Sequence, residues 1–216
     1  MLGQHGRGVT KALFTRPALA LARLGVTPNM LTVAGTLLTV TIAVLTLPQG
    51  HFLLGVALLI LSIVGDSFDG ILARATGKTS VFGGFLDSTM DRIADGAVFG
   101  SLAVWAALQL QPGTLRTTTI ALALAVVVLA EVVSYARAKA ESLGATAAVG
   151  IAERTDRLIV GGLGVAAVGL GAPNWVLTVA LGAVALGSLI TVGQRVATTK
   201  RQLDAREAQT AKQAQS

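Results

Sequence analysis

Apolar residues gather along this chain in six runs, 30–47, 51–65, 96–108, 117–130, 158–172 and 175–193, separated by three short turns and by two longer, charge-bearing stretches at 66–95 and 131–157. A helix crosses the hydrocarbon core of a bilayer with about twenty mostly apolar residues, in a range of roughly 17–25. The first and last runs reach that length unaided. The second does so only if its helix continues through Asp66 and Asp69, and the third only if its helix begins before Asp87 and Asp91. The pattern predicts an all-α integral membrane protein with six transmembrane helices and with acidic side chains inside the second and third.

The flanks have a different character. Residues 1–28 mix Arg7, Lys11, Arg16 and Arg23 with Leu13, Phe14, Pro17, Leu19, Leu21 and Leu24. They lack the short apolar core and small-residue cleavage site of a signal peptide. An amphipathic juxtamembrane helix on the membrane surface fits this interleaving, and a disordered basic leader is the alternative. Residues 29–197 form the membrane domain. Residues 198–216 are polar and read as a frayed helix or tail.

Composition agrees with the pattern. The chain is 53% hydrophobic and 13% charged, with a mean hydropathy of +0.71, outside the balance of soluble domains. The formal net charge is +6. Its basic residues are scattered among loops without interleaved aromatics, so anionic lipid headgroups are the expected partners and nucleic acid is not. There are no cysteines, which excludes disulfide and thiol chemistry.

The basic residues alternate by side. They precede the first run, are absent from the turn at 48–51, return as Arg74 and Lys78, and thin to Arg116 in the next turn. Arg137, Lys139, Arg154 and Arg157 then flank one connection, the turn at 171–174 has none, and Lys200, Arg201, Arg206 and Lys212 close the chain. The positive-inside rule puts both termini and the acidic pairs at the cytoplasmic face of the cell membrane.

Asp66 and Asp69 stand at i, i+3, and Asp87 and Asp91 at i, i+4, so on helices each pair shares a face. Four carboxylates beside apolar sequence repel one another unless cations lie between them. Converging oxygen ligands suit a hard divalent ion.

The string D-x2-D-G-x2-A-R-x8-G-x3-D-x3-D, from Asp66 to Asp91, resembles the signature of the CDP-alcohol phosphotransferases at all eight specified positions. These membrane enzymes move a phosphoalcohol group from a CDP-linked lipid to an acceptor hydroxyl. The resemblance implies Asp66, Asp69, Asp87 and Asp91 as ligands to two Mg²⁺ ions, with Mn²⁺ as a substitute, and Asp91 also as general base. It implies CDP-lipid contacts from Gly70, Ala73, Arg74 and Ser80, and from the entry segment Asn29, Met30, Leu31 and Thr32. Other readings stand beside these: membrane packing for Gly70, a headgroup anchor for Arg74, and helix caps for Ser80 and Asn29. Gly83 is expected to ease packing of the third helix on the second.

A second cluster concerns the acceptor. Ser134, Arg137 and Lys139 close the fourth predicted helix, Arg154 and Arg157 open the fifth, and Arg195 is expected to end the sixth. Arginine favours bidentate phosphate binding, although loop charges that only set topology are the alternative. Glu153 and Asp156 are expected to orient the arginines. Arg92, beside Asp91, is expected to project elsewhere around its helix, and no role is assigned to it, to Asp95 or to Glu131. The pattern from Tyr135 to Arg157, with Arg195, resembles the inositol-phosphate branch of the family. That implies CDP-diacylglycerol and inositol 1-phosphate as substrates, and a homodimer. Glycerol 3-phosphate is the alternative acceptor. An ion or lipid transporter is the alternative of another class, although the internal repeats frequent in transporters are not evident.

Overall fold

The computed structural model describes residues 25–76 and 79–213; at residues 64, 66–71 and 74–76 it gives helical backbone without side-chain surroundings. Six helices form among the described residues: α1 Pro28–Thr46, α2 Phe52–Thr76, α3 Val81–Gln109, α4 Thr114–Ser142, α5 Arg154–Gly169 and α6 Trp175–Gln213. Each encloses one of the apolar runs in whole or large part. The leader expected over 1–28 falls mostly outside the described residues. By length and apolar content, α1, α4 and α6 can each cross a membrane, and residues 52–63 of α2 form a shorter apolar stretch. Helices α2 and α3 run through the two Asp pairs, as expected.

The chain divides into two compact units, Met1–Ser101 and Leu102–Ser216. In the first, α1 packs on α2. Thr36, Thr39, Ile42, Ala43 and Thr46 face inward along α1, while Leu37, Leu38 and Leu45 are exposed. The hydroxyls of Thr39 and Ser62 share a buried hydrogen bond of 2.7 Å between the two helices. Small and hydroxyl-bearing residues inside with leucine outside is the arrangement of helices that meet in lipid, where burying leucine gains nothing over leaving it in hydrocarbon.

The second unit repeats this logic. Helix α6 packs on both α4 and α5. Thr119 of α4 and Thr178 of α6 share a buried hydrogen bond of 2.6 Å. Gly164 lets α5 approach α6 closely, since a Cβ there would lie 2.5 Å from that of Ala180. Leu163, Leu186 and Leu189 are exposed.

Helix α6 departs from expectation. Its 39 residues make a rod of roughly 58 Å at 1.5 Å per residue, about twice the 30 Å hydrocarbon thickness. The polar segment from Thr198 continues it without a break to Gln213. Arg195, expected at a helix end, therefore lies within the helix.

Candidate functional site

At the entry to α1, Thr27 is the cap: its hydroxyl accepts the Met30 N–H at 3.3 Å. Pro28 occupies the first turn, where its missing N–H costs nothing. Asn29 is thus inside the helix, and the capping alternative passes to Thr27. The Thr32 hydroxyl donates to the Pro28 carbonyl at 3.2 Å. Met30 is exposed and Leu31 half-buried.

Ser80 caps α3, accepting the Gly83 N–H at 2.9 Å. A Cβ on Gly83 would lie 3.1 Å from Ser80 Oγ and 3.3 Å from Asn29 Oδ1. The missing side chain thus lets the start of α1 meet the start of α3, bringing two polar groups, 51 residues apart in sequence, to one point. The described neighbours of Gly83 are these two residues, where packing against the second helix was expected.

One turn into α3, Asp87 is exposed, and Asp91 and Ala73 of α2 are half-buried. Asp95 continues the face of Asp87 and Asp91 by another turn and is fully buried. Arg92 Nη2 comes within 3.8 Å of Asp91 Oδ2, so this guanidinium turns toward Asp91, contrary to expectation. Among the described residues no three His, Cys, Asp or Glu side chains converge as a metal site. Asp87 and Asp91 supply two of the four expected carboxylates; the side chains of Asp66, Asp69 and Arg74, and the surroundings of Gly70, lie outside the description. The donors present are all carboxylate oxygens beside exposed Phe82 and Phe85, a set that fits a hard divalent ion.

In the second unit, the connection 143–153 joins α4 to α5. Gly144, at φ +74°, ends α4 in the left-handed conformation that glycine adopts without strain. Glu153 and Asp156 serve the backbone: Asp156 Oδ2 accepts the Glu153 N–H at 2.9 Å in a capping box. Glu153 also acts electrostatically on Arg137 and Arg195. Arg157 is buried, and its guanidinium donates to the Ala152 carbonyl at 3.3 Å. Arg154, in the first turn of α5, is half-buried. On α4, Ser134 donates to the Ala130 carbonyl at 3.0 Å, and Arg137 Nε donates to Glu141 Oε1 at 2.9 Å.

Arg195 joins these parts. It is 4% exposed; Nη1 donates to the Val133 carbonyl of α4 at 2.6 Å and Nε to the Val149 carbonyl of the connection at 2.9 Å. Arg137, Arg157, Glu141 and Glu153 all lie within electrostatic reach of it. One guanidinium thus holds three segments together in a cluster of both signs of charge.

Residues 25–186 match the CDP-alcohol phosphatidyltransferase family. The chain belongs to this family. It is 38% identical to the phosphatidylinositol phosphate synthase of Streptomyces avermitilis over 217 residues, covering 98% of this chain and 87% of that protein. It is 41% identical to the enzyme of the same name from Cutibacterium acnes, covering 92% and 97%. The archaetidylinositol phosphate synthase of Pyrococcus horikoshii is 40% identical over 155 residues, covering 71% and 77%. Among solved structures, Mycobacterium tuberculosis phosphatidylinositol phosphate synthase with CDP-DAG bound superposes with a TM-score of 0.81 at 34% identity, covering 87% of this chain and 94% of that one. The same enzyme in complex with manganese and citrate gives a TM-score of 0.80 at 34% identity, covering 86% and 88%. This family member is accordingly a multi-pass membrane transferase of phospholipid synthesis.

Replacing Arg195 tests its structural share. Arg195→Gln leaves the Val133 and Val149 carbonyls without their charged donor, a loss of about 1.5–3 kcal/mol that lowers the unfolding temperature by roughly 3–10 °C. Arg154→Gln, at a half-buried helix start, should leave it within about 2 °C. Thermal unfolding in detergent reads both, and an unshifted Arg195→Gln would mean that its carbonyl bonds contribute nothing net.

Proposed function

We propose that this chain is a phosphatidylinositol phosphate synthase of the cell membrane, transferring the phosphatidyl group of CDP-diacylglycerol to inositol 1-phosphate and releasing CMP. The observation that carries this is similarity along nearly the whole chain to relatives of that name. The archaeal relative adds support, because its name keeps the inositol phosphate while the lipid changes. Six spans, cytoplasmic termini and a homodimer belong to the same reading.

In this reading Asp66, Asp69, Asp87 and Asp91 hold two divalent ions, Mg²⁺ or Mn²⁺, which when bound neutralise the pyrophosphate and ease departure of CMP. Asn29, Met30, Leu31, Thr32, Gly70, Ala73, Arg74 and Ser80 form the CDP-lipid contacts, with Asn29 and Ser80 giving polar groups at one point. Ser134, Arg137, Arg154, Arg157 and Arg195 grip the phosphate of the acceptor. Asp91 takes the proton of the acceptor hydroxyl as its oxygen attacks the phosphorus of the phosphatidyl group. The new oxygen–phosphorus bond forms as the bond to CMP breaks.

The Asp roles separate by measurement. Asp91→Asn should cut turnover by at least ~100-fold, because an amide accepts no proton, while the affinity for Mn²⁺ falls by less than about threefold if the other ligands dominate. Asp87→Ala should weaken Mn²⁺ binding and turnover together. Calorimetry of each variant, paired with a CMP-release assay, reads this; unchanged Mn²⁺ affinity in Asp87→Ala would remove it from the ligand set.

The acceptor is tested with purified protein and radiolabelled CDP-diacylglycerol against inositol 1-phosphate, inositol and glycerol 3-phosphate. Inositol 1-phosphate should react fastest. Arg154→Gln should raise its KM roughly ten- to hundredfold, the loss of a charge-assisted phosphate contact, and hardly move the KM for the lipid. Faster reaction with glycerol 3-phosphate would reassign the chain to phosphatidylglycerophosphate synthesis.

Orientation has its own test. Single cysteines at Thr79 and Ser142 should react with an impermeant reagent only from the cytoplasmic side, and those at Gln49 and Gln111 only from outside. Gly113 and Gly144 are unsuited to this because both have positive φ. A reversed pattern would overturn the charge-based orientation.

A further inference from the structure

Helix α6 touches the α4–α5 connection at four levels. Thr191 Oγ1 accepts the N–H groups of Ile151 and Ala152 at 3.2 and 3.0 Å. One turn on, Arg195 holds the Val149 carbonyl. Two turns further, Gln202 brackets Thr146: Oε1 accepts its N–H at 2.9 Å and its hydroxyl at 3.2 Å, and Nε2 donates to its carbonyl at 2.7 Å. Arg206 then donates to the Leu143 carbonyl at 3.3 Å and to that of Gly144. Positions 191, 195, 202 and 206 advance by four, seven and four, so they share one face of the helix. Between them Leu203 packs on Ala140, Ala145 and Ala147.

The connection has few other means of holding its shape. It contains no regular helix or strand from 143 to 153, and a chain of this length without ladder bonds samples many conformations. Yet it joins Ser134 and Arg137 on α4 to Arg154 and Arg157 on α5, and its shape contributes to the distance between them. A phosphate gripped from both ends requires that distance to be constant. The contact is close enough to dictate sequence, since a Cβ on Gly150 would overlap Thr191 Cγ2.

We infer that the part of α6 beyond the apolar run is a splint for the acceptor site, with Gln202 and Arg206 as positioning residues that tune acceptor affinity without touching substrate. This rests on the acceptor reading above, and its test is chosen to fail separately. The full-length protein is compared with Gln202→Met and Arg206→Met, which keep side-chain bulk and remove the bonds. Lys200→Met is the control, because Lys200 pairs with Asp204 at 2.6 Å on its own helix.

Hydrogen exchange over 143–152 should accelerate in Gln202→Met and Arg206→Met and not in Lys200→Met. Acceptor KM should rise roughly three- to tenfold, while kcat and the KM for CDP-diacylglycerol stay within about twofold. The acceptor is whichever of inositol 1-phosphate and glycerol 3-phosphate the parent protein turns over faster. A parent preference for glycerol 3-phosphate would sink the inositol reading and leave the splint to be judged on that substrate. Unchanged exchange, unchanged acceptor KM, or equal rises in both KM values would each overturn the splint.

Discussion

A polar group in hydrocarbon must find its partner inside the protein, because neither lipid nor water will supply one there. This constraint explains why hydroxyls pair where helices meet, whereas leucines need no such placement: Leu37, Leu45, Leu163 and Leu186 face outward and Leu72, Leu102, Leu177 and Leu181 are buried. Thr39 with Ser62, and Thr119 with Thr178, each satisfy two hydroxyls at one helix crossing. Several other threonines bond their own helix instead: Thr41 donates to the Leu37 carbonyl and Thr46 to that of Ile42, each at 2.7 Å. Such pairs contribute modestly, on the order of 1 kcal/mol, but they set which faces meet.

The same constraint concentrates charge where function needs it. A carboxylate or guanidinium at membrane depth persists only with a partner. Asp91 has Arg92 within reach, and Arg195 has two backbone carbonyls. In the proposed acceptor site Arg195 would serve two roles, because its carbonyl bonds also bind α4, the connection and α6 together. A loss of activity on replacing it would therefore confuse architecture with substrate binding.

Family membership narrows the chemistry without choosing every atom. The signature from Asp66 to Asp91 carries the four carboxylates proposed as donors, and the architecture offers a polar meeting point at Asn29, Ser80 and Gly83. The arginines proposed to grip the acceptor all stand in the second unit. There they lie near helix ends and along α6, with an irregular connection between α4 and α5.

The six apolar runs and the acidic signature were legible in the sequence because both depend on local spacing. Hydrocarbon thickness dictates the length of each run, and the helical repeat puts paired carboxylates on one face. Thr27 as cap, Asn29 against Gly83, and Arg92 turning to Asp91 were not legible, since each depends on the rotamer or approach that packing selects. Residues from Thr198 read as a polar tail because their composition carries no apolar stripe. Only the fold showed that Gln202 and Arg206 continue the face of Thr191 and Arg195 onto a connection about sixty residues earlier. Hydrophobic pattern records what each segment does with lipid and water. It carries no record of which backbone carbonyl a distant side chain will reach, and that was decided by tertiary packing alone.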